Sequence, residues 1–200
     1  MIKLLAKGDM TTKYGKFTEY LFYDGQTESV ALVMGDVAGG EDVLLRIHSH
    51  CVPGHIFNSI ECDCREQMAL AQQKIEEAGK GVVVWLDQEG KGNGHMAAVL
   101  SADLKAKGVP QTEAYARLGY ERDARSFVRA AEIIDFLRIV SVKLMTNNPE
   151  KVKTLTDLGI TVCGTQGLYL EPDNPELYKT YMDKIKNQNH AIKVQRAVEQ

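Results

Sequence analysis

The sequence predicts an α/β fold, an α+β mixed sheet with flanking helices, and three observations predict it. Short β-type runs separated by turn signals fill the first forty residues, and apolar runs alternate with helical periodicity through the middle. The stretch "VSVKLMTNNPEKVKTLTDLGITVCG" reads as strand, turn, helix and strand. With 200 residues and 44% hydrophobic composition, the chain is long enough for one substantial domain with its own core. One domain is expected: residues 1–170 as the main unit, and residues 171–200 as a C-terminal helix and tail of the same domain.

Taken in order, "KFTEYLFYDG" and "SVALVMGDVAGG" read as strands of antiparallel hairpins, with Gly35, Gly39 and Gly40 ending the pattern. "DVLLRIH" is a further apolar run that leads into a segment crowded with cysteine and histidine. After Cys64 the spacing of Met68, Ala71, Ile75 and Ala78 predicts a helix stopped by Gly79, and "GVVVWL" predicts a buried strand. "DQEGKGNGH" is a glycine-rich loop, followed by weaker helical spacing through "MAAVLSADLKAKG". A helix is predicted over "DARSFVRAAEIIDFLR", with Asp123 as its cap and Phe127, Ala130, Ala131 and Ile134 facing the core. Cys163 reads as a buried strand residue. A last helix is predicted in "NPELYKTYMDKIKNQ", followed by a tail that frays.

Charge and composition narrow the class of partner. The 24 basic residues nearly balance 27 acidic ones, for a net charge of -3, which gives no reason to expect a nucleic-acid or membrane surface as the main partner. "MIKLLAKGDM" lacks the apolar run of a signal peptide, so a cytoplasmic location is expected. In that compartment cysteines serve metal binding or catalysis more often than a disulfide framework.

Residues 46–67, "RIHSHCVPGHIFNSIECDCREQ", hold three of the four cysteines and three of the five histidines. The spacing Cys51-x10-Cys62-x-Cys64 differs from paired Cys-x-x-Cys knuckles, and three thiolates form a soft site suited to zinc. With water in the fourth place the metal is a catalyst, and with His48, His50 or His55 there it is a staple. In "WLDQEGKGNGH", glycines let the backbone approach a ligand, Lys91 suits a phosphate, and Glu89 suits the paired N–H groups of a guanine-like edge. "YERDARSF" sets Asp123 two residues from Arg125, and "MTNNPEKVK" joins a strand end to a helix start with Lys151 in its first turn, a natural phosphate site.

Together, "RIHSHC", the "CDC" pair, "QEGKG", "RLGYERDARSF" and "LMTNNPEKV" resemble, in the same order, the motifs of GTP cyclohydrolase II, the zinc enzyme that opens guanine in riboflavin synthesis. The resemblance implies that residues 1–170 are the catalytic part, with Cys51, Cys62 and Cys64 holding one zinc whose fourth ligand is water. It further implies substrate contacts from Arg46 and its loop, Ile47, His48, Ser49 and His50, and from Gln67, Glu89, Gly90, Lys91, Gln111, Thr146 and Lys151. Arg125 would attack the α-phosphate as pyrophosphate leaves, with Asp123 as proton acceptor, Mg2+ on the triphosphate, and a homodimer as the assembly.

The chain departs from the family pattern near the chemistry. Family members usually carry Glu at His50, Thr at Pro53, Asp at His55, Arg at Glu61, Gly at Arg65 and Arg at Lys91. The tyrosine associated with formate release is replaced by Ala102, which has no group to move a proton. The expected product is therefore the ring-opened pyrimidine or its N-formyl form, with His95, Tyr115 and Tyr120 as possible replacements for the tyrosine. The alternatives are action on another nucleotide, or zinc-stabilised nucleotide binding without catalysis.

Overall fold

The computed structural model describes residues 1–192, and the expected tail beyond that point lies outside the described residues. Seven strands form one mixed sheet: β1 (Lys3–Thr12), β2 (Gly15–Tyr23), β3 (Glu28–Met34), β4 (Val43–Ser49), β5 (Gly81–Leu86), β6 (Val142–Met145) and β7 (Val162–Gln166). Their spatial order is β1-β2-β3-β5-β4-β6-β7. The β1-β2-β3 meander and the β3–β5 pair are antiparallel, whereas β5, β4, β6 and β7 run parallel to their neighbours.

The parallel half decides where a site forms. Because β4, β5 and β6 point the same way, their C-terminal ends deliver the cysteine segment, the glycine loop and "TNNP" to one edge of the sheet, where ligands of open α/β sheets bind. The β4–β5 register sets Ser49 opposite Leu86, which brings the start of the cysteine loop level with the start of the glycine loop.

Among the described residues, eight α-helices accompany the sheet: α1 (Val52–His55), α2 (Cys64–Ala78), α3 (His95–Leu100), α4 (Ala102–Ala106), α5 (Gln111–Arg117), α6 (Val128–Phe136), α7 (Pro149–Asp157) and α8 (Pro175–Gln188). The strands' period of two divides the core between two faces. Leu45, Ile47, Val82, Val84 and Leu86 pack with Ala130, Ile133 and Ile134 of α6 and Leu155 of α7. Val83 points the other way, to Ala71 and Ile75 of α2. Helix α2 stops at Gly79, whose φ of 69° closes the left-handed cap predicted from the sequence.

Three readings need correction. Asp123 does not cap a helix: α6 begins at Val128, after Phe127, and the Asp123 carboxylate turns to Arg125 instead. Cys163 lies in a strand but is exposed, because the period of two along β7 turns Val162 to the core and Cys163 to the opposite, uncovered face. Strand β1 and helix α5 were not foreseen. Most of β1 is exposed, and it lacks the apolar alternation that marks a half-buried strand.

Candidate functional site

The cysteine loop forms because β4 ends in the open and α2 starts at Cys64. Between them the short helix α1, with Pro53 in its first turn, folds the chain back so that Cys51 faces Cys62 and Cys64. The three sulfurs lie within 4.8 Å of one another, and Cys51 and Cys62 are 3.7 Å apart. Gly54 closes the floor of this cluster: a methyl group there would lie 2.7 Å from Cys62 Sγ and 3.3 Å from Cys51 Sγ. Arg65, in the first turn of α2, donates Nε and Nη2 hydrogen bonds to the Gly54 carbonyl at 3.2 and 2.6 Å. Hydrogen bonding from Cys51 and Cys64 pulls the Cys62 thiol toward thiolate, while contact with Cys62 pushes Cys51 up to about 11.

The histidines turn elsewhere. His48 and His55 face each other through Nε2 at 2.9 Å, and His50 Nδ1 meets Asp87 at 3.3 Å. Burial and then the nearby Arg46 guanidinium hold His48 well below the usual histidine range, so it is neutral near pH 7.

A second cluster gathers positive charge. Arg46, 7% exposed on β4, donates from Nη1 to the Met145 carbonyl at 2.9 Å and from Nη2 to Gln67. Lys151, also 7% exposed, donates to the Ile47 carbonyl at 3.1 Å and stands 5.4 Å over the Phe127 ring. Burial, then the charges of Arg46 and Arg125, depress Lys151 well below the usual lysine range. Lys91 has a left-handed backbone, φ 56°, and contacts Asp123 at 3.2 Å and Gln188 at 2.8 Å. Arg125 holds Asp123 through Nε at 2.8 Å and Nη2 at 2.5 Å. Burial opposes ionisation of Asp123, but the bonds and charge of Arg125, with Lys91, bring it down to about 2. A recess of about 350 Å³ opens among Lys91, Asp123, Arg125, Phe127 and Asn148.

The remaining expected contacts fall around these clusters. Glu89 accepts from the backbone N–H groups of Val52 and Gly90, so it ties the glycine loop to the cysteine loop. With His50, Asp87, Gln88 and His95 it lines a recess of about 330 Å³. Thr146 accepts from the Asn148 N–H, and Asn148 caps α7 through the Glu150 N–H. Gln111 donates to the buried Tyr115 hydroxyl at 3.3 Å, and that hydroxyl lies behind Gly90. Ala102, at the start of α4, is exposed. His95 lines the Glu89 recess, whereas neither Tyr115 nor Tyr120 does.

Several contributors were missed. Gln88 donates to Ser49 at 3.0 Å and accepts from the Ser126 N–H, which joins two strand ends to the Arg125 segment. Asp63, 2% exposed between two of the cysteines, accepts from Gln67, Tyr181 and Lys184. A buried aspartate in "CDC" was a readable signal; nothing in the sequence pointed from it to α8.

The sequence model described as GTP cyclohydrolase II matches residues 3–167. A GTP cyclohydrolase-2 of Haemophilus influenzae (strain PittEE) is 39% identical over 196 residues, covering 96% of this chain and 89% of that one. The chain belongs to the GTP cyclohydrolase II family. A GTP cyclohydrolase-2 of Neisseria meningitidis is 38% identical over 188 residues, covering 92% of this chain and 95% of that one. The riboflavin biosynthesis protein RibBA of Phocaeicola vulgatus is 37% identical over 194 residues, 94% of this chain but 48% of its own. Among solved structures, RibBX, a two domain 3,4-dihydroxy-2-butanone 4-phosphate synthase from A. baumannii, gives a TM-score of 0.46 at 17% identity, over 85% of this chain and 40% of that one.

For a GTP cyclohydrolase II family member, the donor set fits a zinc ion. Thiolates about 2.3 Å from a tetrahedral zinc stand about 3.8 Å apart. The Cys51–Cys62 separation of 3.7 Å is close to that edge, and among the described residues these three cysteines form the one such group of potential ligands.

Proposed function

We propose that the protein is a zinc-dependent GTP cyclohydrolase that opens the imidazole ring of GTP and releases pyrophosphate. The observation that carries this reading is the meeting, at one sheet edge, of three clustered thiols with the cationic side chains of Arg46, Lys91 and Lys151 and the paired Asp123 and Arg125. The substrate follows from relatives named GTP cyclohydrolase-2.

Lys91, Lys151 and Arg46 offset the charge of the triphosphate, accompanied by Mg2+, and their mutual repulsion favours a polyanion among them. Arg125 attacks the α-phosphorus; the bond to pyrophosphate breaks, and the guanidinium proton passes to the Asp123 carboxylate already bonded to it, after which water cleaves the new N–P bond, releasing the 5'-monophosphate as the proton returns to Arg125. Zinc, when bound at Cys51, Cys62 and Cys64, supplies Lewis acidity toward the water that opens the ring. Gln67 and Glu89 read guanine, with Glu89 keeping its bonds to Val52 and Gly90 as it does so. Gly90 and Gln111 shape the base side of the pocket, Thr146 the nucleotide side, and the end of β4 at Ile47, His48 and Ser49, with His50 just after it, the backbone that frames the loop.

A specific observation favours a shortened reaction. Ala102 is exposed, and among the described residues that line the recess of His50, Glu89 and His95 there is no tyrosine, which supports a product that retains its formyl group unless His95 moves the proton instead. In this reading α8 belongs to the same domain as residues 1–170, and the protein works as a homodimer in the cytoplasm. Among the described residues, no helix is long and apolar enough to cross a membrane.

The test compares chelator-stripped with zinc-restored protein in a pyrophosphate-release assay on GTP and Mg2+, with formate measured in parallel. Zinc-dependent pyrophosphate without formate is expected. Pyrophosphate at the same rate without metal would remove the zinc role, and stoichiometric formate would remove the shortened reaction.

A further inference from the structure

Helix α8 lies beyond the residues matched by the family's sequence model, and it makes four polar contacts with the site. Thr180 donates to the Glu61 carbonyl at 2.6 Å. Tyr181 and Lys184 donate to the Asp63 carboxylate at 2.5 and 3.1 Å. Gln188 accepts from Lys91 at 2.8 Å. Positions 177, 181 and 184 are one helical face, and Leu177 and Tyr181 on it are buried.

Asp63 is the centre of this arrangement. It stands between Cys62 and Cys64 and precedes the first turn of α2, yet its side chain makes no capping bond there. The carboxylate instead receives Gln67, whose carbonyl oxygen accepts from Arg46. A buried carboxylate with three donors is stable, and the same carboxylate without its ammonium partner is not. The connected order is Lys184 and Tyr181, Asp63, Gln67, Arg46. One end touches the thiol segment and the other the phosphate side.

We propose that α8 positions the metal-ligand segment, with Lys184 and Tyr181 as positioning residues that act through Asp63. Losing the ammonium leaves the Asp63 charge buried with less compensation, so the segment that carries Cys62 and Cys64 shifts and the orientation of Gln67 and Arg46 shifts with it. The inference rests on the zinc reading above, and it assigns to α8 a task in the site beyond covering it.

The test compares the zinc-loaded full-length protein with Lys184→Met, Lys184→Arg, Tyr181→Phe and Lys179→Met. Lys179 lies on the exposed side of α8, paired with Glu176. The measurements are the rate of zinc release to a chromophoric chelator, the absorption spectrum of the cobalt-substituted forms, and kcat and KM on GTP. Partners that orient ligands are typically worth about ten- to a hundredfold in metal affinity or activity. Lys184→Met is expected to release zinc about tenfold faster or more, to change the cobalt–thiolate bands and to lower kcat. Lys184→Arg should recover most of each quantity, Tyr181→Phe should fall between, and Lys179→Met should match the parent. If Lys184→Met does not fold, as judged by circular dichroism, Tyr181→Phe decides the matter, because it removes one hydroxyl and keeps the ring. Zinc release and cobalt bands unchanged in the folded variants would overturn the inference. If the parent binds zinc but leaves GTP intact, the GTP reading fails and the release rates still decide the role of α8. A parent that binds no zinc overturns both.

Discussion

The behaviour of single side chains near the thiols follows from how little space they leave. At Gly54 even a methyl group meets Cys62 Sγ at 2.7 Å, and the Arg65 bonds to the Gly54 carbonyl keep that peptide from retreating. Gly54→Ala is therefore expected to purify with well under one zinc per chain while retaining its far-ultraviolet circular dichroism; full zinc occupancy by elemental analysis would contradict the packing assigned here. Lys151 offers a proton-linked test. Its folded pKa lies well below the ordinary lysine value of 10.5, so between those two values the unfolded chain binds more protons and stability rises with pH. A polyanion bound beside it favours the ammonium and raises the folded value. Binding of a non-hydrolysable GTP analogue is accordingly expected to take up protons within that window. Titration calorimetry in buffers of different ionisation enthalpy measures this, and Lys151→Met should reduce the uptake. Proton release by the parent would contradict the assignment.

At the scale of elements, the site depends on how strand ends meet. The turn at Gly90–Gly92 touches the Asp123–Arg125 segment closely: a Cβ on Gly92 would lie 2.6 Å from the Ala124 carbonyl, and Gly92 has φ 83°. Gly92→Ala carries about 1–2 kcal/mol for the left-handed backbone alone, and the clash with main chain adds to it. The expected result is a melting temperature lower by several degrees and a kcat about tenfold lower or more, since small misplacement of positioned groups is expensive in rate. A variant with the parent's kcat would show that the contact does not position Arg125.

These same elements mark what was legible in the sequence. Val82, Val83 and Val84 announce a buried strand by composition, and Ala71 and Ile75 announce the inner face of α2 by period. Asp123 was misread because an aspartate before a helical run is a common cap, whereas here the chain between it and α6 is not helical and the carboxylate pairs with Arg125 two residues on and with Lys91 of the glycine loop. Cys163 was misread because burial of a strand residue depends on which face of the sheet is covered, and in β7 that face takes Val162 while Cys163 lies on the other. The cysteine triad was visible from spacing, whereas the bonds from α8 to Asp63 span more than a hundred residues and leave no periodic trace.

For the molecule as a whole, one sheet supplies two kinds of surface. Its antiparallel side forms a meander, while its parallel side sends three strand ends to a common edge where thiols, cations and the Asp123–Arg125 pair gather. Membership in the GTP cyclohydrolase II family is consistent with that convergence. The measurement that bears most directly on the proposed chemistry uses GTP labelled with carbon-13 at the imidazole carbon, followed by NMR in the presence of zinc-loaded protein and Mg2+. The imidazole resonance is expected to disappear as a formamide resonance grows, in step with pyrophosphate. An unchanged imidazole resonance, from protein shown to hold one zinc per chain, would contradict the proposed chemistry.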